Sequence, residues 1–262
     1  MASGKTWMKV RRVSKHFGAV TALNAVDLEL RLGEVTALVG DNGAGKSTLV
    51  KILSGAHQPS TGELEVDGKP VLLGSPAKAR MVGVSTIFQE LALVENLTVY
   101  ENVFLGREMV RSFYGVPILD KRRMRERVEH LIAELGAHLP SLSVPVAALS
   151  GGQRQAVAIA RVLDLDTKLV IMDEPTAALA VVETRKVLRL IEQLRNKGKA
   201  VLLVSHNLGD VFEVADRILV LLRGRKAVEL EKEKTNPEEV VGWITGALAE
   251  NRVTDPSREQ HK

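Results

Sequence analysis

The chain has 262 residues, 45% apolar and 26% charged, and its net charge of +4 is dispersed. That is the balance of a globular protein with room for one full core and a subdomain, and no apolar run approaches the ~18 residues needed to span a bilayer. The absence of cysteine excludes disulfides and thiol chemistry, Met1 to Arg12 holds no apolar h-region and so no secretory signal is expected, and nine aromatics are too few for a nucleic-acid surface.

Val35-Thr36-Ala37-Leu38-Val39 is a short apolar, β-branched run and reads as a buried strand. It leads into Gly40-Asp41-Asn42-Gly43-Ala44-Gly45-Lys46-Ser47, which fits the phosphate-loop pattern G-x-x-x-x-G-K-[ST], with Thr48 next. Lys46 to Leu53 carries Leu49, Val50, Ile52 and Leu53 at helical spacing, and Gly55 is placed to end that helix. A strand, a glycine loop and a helix N-terminus make an anion site, because backbone N–H groups and the helix dipole both favour negative charge. Lys46 can reach the β/γ-phosphates of a nucleotide, and the Ser47 hydroxyl can ligate Mg²⁺.

Glu63 to Val71 reads as a hairpin around Asp67-Gly68, and Val84 to Phe88 as a strand. Asp120 can cap a helix whose apolar face is Met124, Val128, Leu131, Ile132 and Leu135, which leaves Lys121, Arg122, Arg123, Arg125 and Arg127 as its wet side. Leu149-Ser150-Gly151-Gly152-Gln153 precedes a good helix, with Ser150 as N-cap and paired glycines. This is a second anion site, and one nucleotide does not need two such sites from one subunit. The redundancy points to a dimer in which each subunit completes the other's site.

Lys168 to Pro175 reads as an apolar strand ending in Asp173 and Glu174, at the edge that also carries the phosphate loop. Alternation along a strand is expected to send the two acids in different directions. Asp173 suits Mg²⁺ and Glu174 suits activation of the attacking water. Val182 to Leu194, ended by Gly198, reads as a helix, and Ala200 to Ser205 and Arg217 to Leu222 read as strands. Asn236-Pro237-Glu238-Glu239 opens a last helix with an N-cap, proline at N1 and acids in the first turn. Residues 250–262 form a polar tail expected to be disordered.

GDNGAGKS, LSGGQ, VIMDEP and LLVSH stand in the order and spacing of the ATP-binding cassettes of ABC transporters, which this chain resembles from its start to about Leu248. The resemblance implies an α/β fold: a P-loop NTPase cassette with a RecA-like core, an N-terminal antiparallel β subdomain and a helical subdomain inserted at about residues 91–165. It implies one cassette over residues 1–249 that binds ATP and Mg²⁺ through residues 40–48. It also implies a head-to-tail homodimer or paired cassette, with each nucleotide closed by Ser150, Gly151, Gly152 and Gln153 of the opposite subunit.

By the same match, Gln89 resembles the glutamine that senses Mg²⁺ and faces the permease, His206 the histidine that contacts the γ-phosphate, and Phe17 the aromatic that stacks on adenine. Two positions depart from the pattern. Ala180 stands where the dimer-contact loop usually ends in an aspartate, and Phe17 stands where tyrosine is more common.

Gln89 to Glu108, Asp173 to Leu179, Val211 to Ile218 and Ile244 to Ala247 are similar to the ribose/xylose/fructose-type monosaccharide importers, in their single-cassette form. That likeness implies an ATPase at the cytoplasmic face of the membrane, docked on a separate permease and served indirectly by an extracytoplasmic solute-binding protein. Import of another small solute is the alternative. A GTPase would need Asn-Lys-x-Asp, and Asn196-Lys197-Gly198-Lys199 lacks the acid. ABC ATPases acting on DNA or ribosomes usually carry a coiled-coil insertion or two tandem cassettes, and this chain has neither.

Overall fold

The structure, a computed structural model, describes residues 4–87, 93–114, 116–163, 167–177 and 180–249. The chain opens with two long strands, β1 (Thr6–Phe17) and β2 (Val20–Arg31), then β3 (Val35–Val39), α1 (Lys46–Leu53), β4 (Thr61–Val66), β5 (Lys69–Val71), α2 (Pro76–Met81) and β6 (Val84–Ile87). A middle stretch holds α3 (Val99–Phe104), β7 (Val110–Phe113), β8 (Val116–Leu119), α4 (Lys121–Glu134) and α5 (Gly151–Leu163). The last part alternates β9 (Leu169–Asp173), α6 (Val181–Asn196), β10 (Ala200–Val204), α7 (Leu208–Val214), β11 (Arg217–Leu222), β12 (Arg225–Glu231) and α8 (Pro237–Thr245). Two compact units result, one made of residues 1–86 and 168–262, the other of residues 87–167.

The first unit has two sheets. β2-β1-β4-β5 are antiparallel, and β12-β11-β3-β10-β9-β6 form the larger sheet, in which β11, β3, β10 and β9 run parallel. Strands buried on both faces carry near-continuous apolar runs, as Val35–Val39 and Ala200–Val204 do, with every residue buried. One core spans both sheets, joining Val10, Leu28 and Leu64 to Leu38, Leu49, Ile52, Ile171 and Leu202. The turn between β4 and β5 places Asp67 and Gly68 at φ 49° and 77°, the two positive angles of a type I′ hairpin turn.

Polar links fasten the same unit. The buried Arg217 guanidinium donates to the Glu34 carboxylate at 2.6 Å and to the Glu29 carbonyl at 3.3 Å, and also pairs with Glu229. Lys226 joins Glu229 as well; burial first, and then the Arg217 charge, lower the pKa of its amine.

The second unit packs α3, α4 and α5 around Val99, Val103, Phe104, Met124, Val128, Leu131, Val157 and Ala160. Asn102 is fully buried there. It accepts from Val94 N–H at 2.8 Å, and its amide donates to the carbonyls of Val94, Leu97 and Thr98 at 3.0–3.1 Å, which satisfies both ends of a buried amide. Asp120 caps α4 through Arg123 N–H, as the sequence predicts. The β7–β8 hairpin is not anticipated by sequence. Its strands have four residues each and Pro117 stands in one of them, which demotes a strand pattern. Helix α6 extends past the predicted Val182 to Leu194 at both ends.

Candidate nucleotide site

The parallel order sets the loops after β3, β10 and β9 side by side at the carboxyl edge of the sheet, where open α/β sheets bind ligands. The loop after β3 carries Gly40 to Ser47. A side chain at Gly40, φ 150°, would put its Cβ 2.4 Å from the Leu221 carbonyl oxygen. One at Gly45, φ 105°, would lie 2.7 Å from the Ala22 oxygen, so both glycines are required where the loop passes other backbone. Gly45 also caps α1. The loop is tied inside by Ala44 N–H to the Asp41 carbonyl at 3.1 Å, and to β11–β12 by Gly224 N–H to the Ala44 carbonyl at 3.0 Å. The Lys46 amine donates to the Gly40 and Asp41 carbonyls at 2.6 and 3.0 Å. Gly43 leaves open space where a Cβ would stand. Asn42 N–H is held by the Asp41 carboxylate at 2.7 Å, and Ser47 and Thr48 sit in the first turn of α1.

Asp173 ends β9, level with Val204 of β10. Burial raises its pKa, the neighbouring Glu174 charge raises it further, and Lys46 and Lys51 pull it back. Those influences place Asp173 within electrostatic reach of the phosphate loop's own lysine. Glu174 corrects the sequence reading of how the two acids diverge. It lies outside the strand, and its direction is set by a left-handed backbone, φ 51°, not by strand alternation. Few non-glycine residues adopt that conformation. It is held by Glu174 N–H to the Val204 carbonyl at 2.9 Å and by Ala177 N–H to the Glu174 carbonyl at 3.1 Å.

The result is a contact between loops. Glu174 Oε2 lies 2.6 Å from His206 Nδ1, with Glu174 largely covered and His206 largely exposed. Downstream of His206, the Asn207 side chain caps α7 through Gly209 N–H at 3.0 Å. A cleft of about 380 Å³ opens between Gly40, Asp41 and Asn42 on one side and Ser205, His206, Leu208 and Ile244 on the other. A second inter-loop bond is absent from the sequence reading. The Thr176 hydroxyl donates to the buried Asp210 carboxylate at 2.7 Å. Nothing in the sequence separates Asp210 from any other acid in a helix's first turn.

Phe17 closes β1, paired with Val20 across the turn, and its ring is 45% exposed. His57 meets that ring edge-on at 5.6 Å, and the Lys15 amine stands 5.2 Å from its centre. Ala22, two residues beyond Val20, is the backbone that Gly45 passes closely, so the β1–β2 turn runs beside the phosphate loop.

Ser150, Gly151, Gly152 and Gln153 belong to the second unit. Ser150 and Gln153 form a reciprocal cap: Gln153 N–H points to the Ser150 hydroxyl at 3.4 Å, and Ser150 N–H donates to the Gln153 side chain at 3.0 Å. The Gln153 amide also donates to the His138 carbonyl. Its side chain therefore shapes the loop, while Gly151 leaves open space where a Cβ would stand. Gln89, Ala178 and Leu179 lie outside the described residues. Ala180 is the N-cap of α6 and supplies no capping side chain.

Comparison with known proteins agrees with this architecture. The profile of the ABC transporter family matches residues 23–177. The xylose/arabinose import ATP-binding protein XylG of Sulfolobus acidocaldarius is 49% identical over 238 residues, across 91% of this chain and 93% of that protein. The fructose import ATP-binding protein FrcA of Rhizobium meliloti is 42% identical over 246 residues, across 92% of this chain and 94% of that protein. Among solved structures, a dimeric ATP-binding cassette in a post-hydrolysis state, bound to ADP and Pi, superposes with a TM-score of 0.72 at 27% identity, across 86% of this chain and 98% of that one.

Proposed function

Because this chain belongs to the ABC transporter family, we propose that it is the ATP-hydrolysing subunit of an importer that carries a monosaccharide through a separate permease. The protein is an ATPase of the cassette type, and its similarity to import ATP-binding proteins for xylose/arabinose and fructose supports a sugar as cargo. No described helix is long and apolar enough to cross a membrane, and the likeness to import ATP-binding proteins supports a separate permease as the path for the sugar. In this reading residues 1–249 form one cassette on the cytoplasmic face of the membrane. Residues from about 91 to 165 are its inserted helical part, and two copies, or one copy and a paired cassette, close on the nucleotides.

The observation that carries the reading is the glycine loop beside the Glu174–His206 pair at 2.6 Å. Backbone N–H groups of residues 40–48 receive the phosphates, and the Lys46 amine exchanges its two loop carbonyls for phosphate oxygens. Phe17 offers a ring face for adenine, since stacking needs only that face. Ser47 and Asp173 supply a hydroxyl and a carboxylate, hard oxygen donors of the kind Mg²⁺ takes in small number beside phosphate and water. Gln89 is the third proposed ligand. When bound, the ion offsets charge on the β- and γ-phosphates. Glu174 accepts the proton of the attacking water. His206 orients that carboxylate, and its exposed side reaches the γ-phosphate. Ser150 to Gln153 of the opposite subunit complete the cage.

The test has two arms. Glu174→Gln should keep ATP binding and lose about 10²–10⁴-fold in turnover, and near-normal hydrolysis would remove Glu174 from the mechanism. Cells whose chain carries Lys46→Ala should lose uptake of one labelled pentose or hexose. Loss of amino-acid uptake with every sugar intact would overturn the cargo and leave the ATPase standing.

A further inference from the structure

We propose that Thr176 and Asp210 form a clasp that holds Glu174 in its working pose, which makes Asp210 a positioning residue for hydrolysis. The inference rests on the reading of Glu174 as the group that activates water. Among the described residues, three bonds tie the turn after β9 to the end of β10 and the segment that follows it. Glu174 N–H bonds the Val204 carbonyl at 2.9 Å, the Glu174 carboxylate meets His206 at 2.6 Å, and the Thr176 hydroxyl bonds Asp210 at 2.7 Å. The first bond is backbone and follows from the register of β9 on β10. The second is made by the reacting groups themselves, so it must rearrange when water and phosphate engage them. The third is a side-chain link set off the reaction path.

Two features give that link its importance. Glu174 holds a left-handed backbone, φ 51°, a conformation that persists in a non-glycine residue only where its surroundings enforce it. Thr176 lies two residues downstream, past Pro175, whose ring fixes the intervening backbone angle. A tether at Thr176 therefore restrains the turn that aims Glu174. Asp210 is only 7% exposed, and burying a carboxylate is costly unless a donor satisfies it. The Thr176 hydroxyl is that donor. A bland alternative is that Asp210 merely complements the dipole of α7, where it sits in the first turn. That role does not involve Thr176, so the two ideas separate by experiment.

Thr176→Val keeps the shape and removes the donor. In the full chain it should lower kcat about tenfold, the scale of one hydrogen bond to a charged group, with KM for ATP and binding of a fluorescent ATP analogue within about twofold. Thr176→Ser, which keeps the hydroxyl, should restore kcat. In a Glu174→Gln background, Thr176→Val should cost the residual turnover nothing more, because residues that act as one unit are not additive. Wild-type kcat in Thr176→Val overturns the clasp, and so does an equal further loss in the Glu174→Gln background. If Thr176→Val yields too little folded protein, Asp210→Glu displaces the carboxylate by one methylene and is judged by the same measurements. Near-normal hydrolysis by Glu174→Gln alone would instead strike the reading of Glu174, and it is measured before any clasp variant.

Discussion

Ala180 opens α6 with a methyl group where an acceptor is wanted, so the N-cap residue itself supplies no capping bond. An uncapped start leaves backbone N–H groups without an intrahelical partner. Ala180→Asp should therefore raise stability by about 1 kcal/mol, read as a higher urea midpoint with unchanged slope. The absence of that gain would show that this helix start is satisfied by other means. At this scale the sequence is legible wherever the chemistry is local. Gly40 and Gly45 are required by their own backbone angles and by what passes beside them, and a fixed spacing reveals both. The Glu174–His206 contact is not local: it depends on Val204 standing level with Asp173 across β9 and β10, and no window of sequence contains that register. The left-handed turn at Glu174 is hidden for a related reason, since glutamate has no special liking for it.

Among the elements, α3 starts with a cap that its sequence spells out. Thr98 and Glu101 make a capping box: the Glu101 carboxylate accepts from Thr98 N–H at 3.0 Å and from its hydroxyl at 2.7 Å. The Thr98 hydroxyl first, and then the backbone N–H, hold the Glu101 pKa below its ordinary 4.5. A carboxyl whose pKa falls on folding binds its proton more weakly in the native state. Its contribution is thus present above 4.5 and is lost as pH falls through the lowered native value. Glu101→Ala should cost about 1 kcal/mol at neutral pH, the scale of one net hydrogen bond. The gap from wild type should close in acid, as followed by urea titrations on both sides of that range. A gap that stays constant with pH would mean the carboxylate charge is not involved. Regular elements such as β3, α1 and β11 match their sequence-predicted bounds, because unbroken apolar or amphipathic patterns outvote their neighbours. The β7–β8 hairpin escapes because four-residue strands carry too little pattern.

For the whole molecule, the proposed sharing of the Lys46 loop and the Ser150 helix start between subunits is the feature most open to test. Mixing Lys46→Ala with Ser150→Arg subunits should create mixed dimers with one doubly damaged site and one intact site. The mixture should then hydrolyse more ATP than either mutant alone. No gain on mixing would show that sites are not shared between subunits. The order and spacing of the motifs carry the resemblance that implies the cassette fold. The division into residues 1–86 with 168–262 and residues 87–167 is a matter of which contacts close, and a linear pattern carries that only through resemblance.

The Arg217 junction has a thermal consequence. Its guanidinium binds Glu34, the Glu29 carbonyl and Glu229, drawing together segments that lie nearly 200 positions apart in the chain. Withdrawing such charges from water becomes less unfavourable on warming, whereas the gain from apolar contact levels off. As temperature rises, this junction therefore carries a growing share of what keeps β2, β11 and β12 together. Lysine cannot replace the planar fork that meets three acceptors at once. Arg217→Lys should accordingly destabilise the first unit at every temperature and cost more as it warms, read as a gap in urea midpoint from the wild type that widens between cold and warm titrations; a gap that stays constant would remove the thermal role.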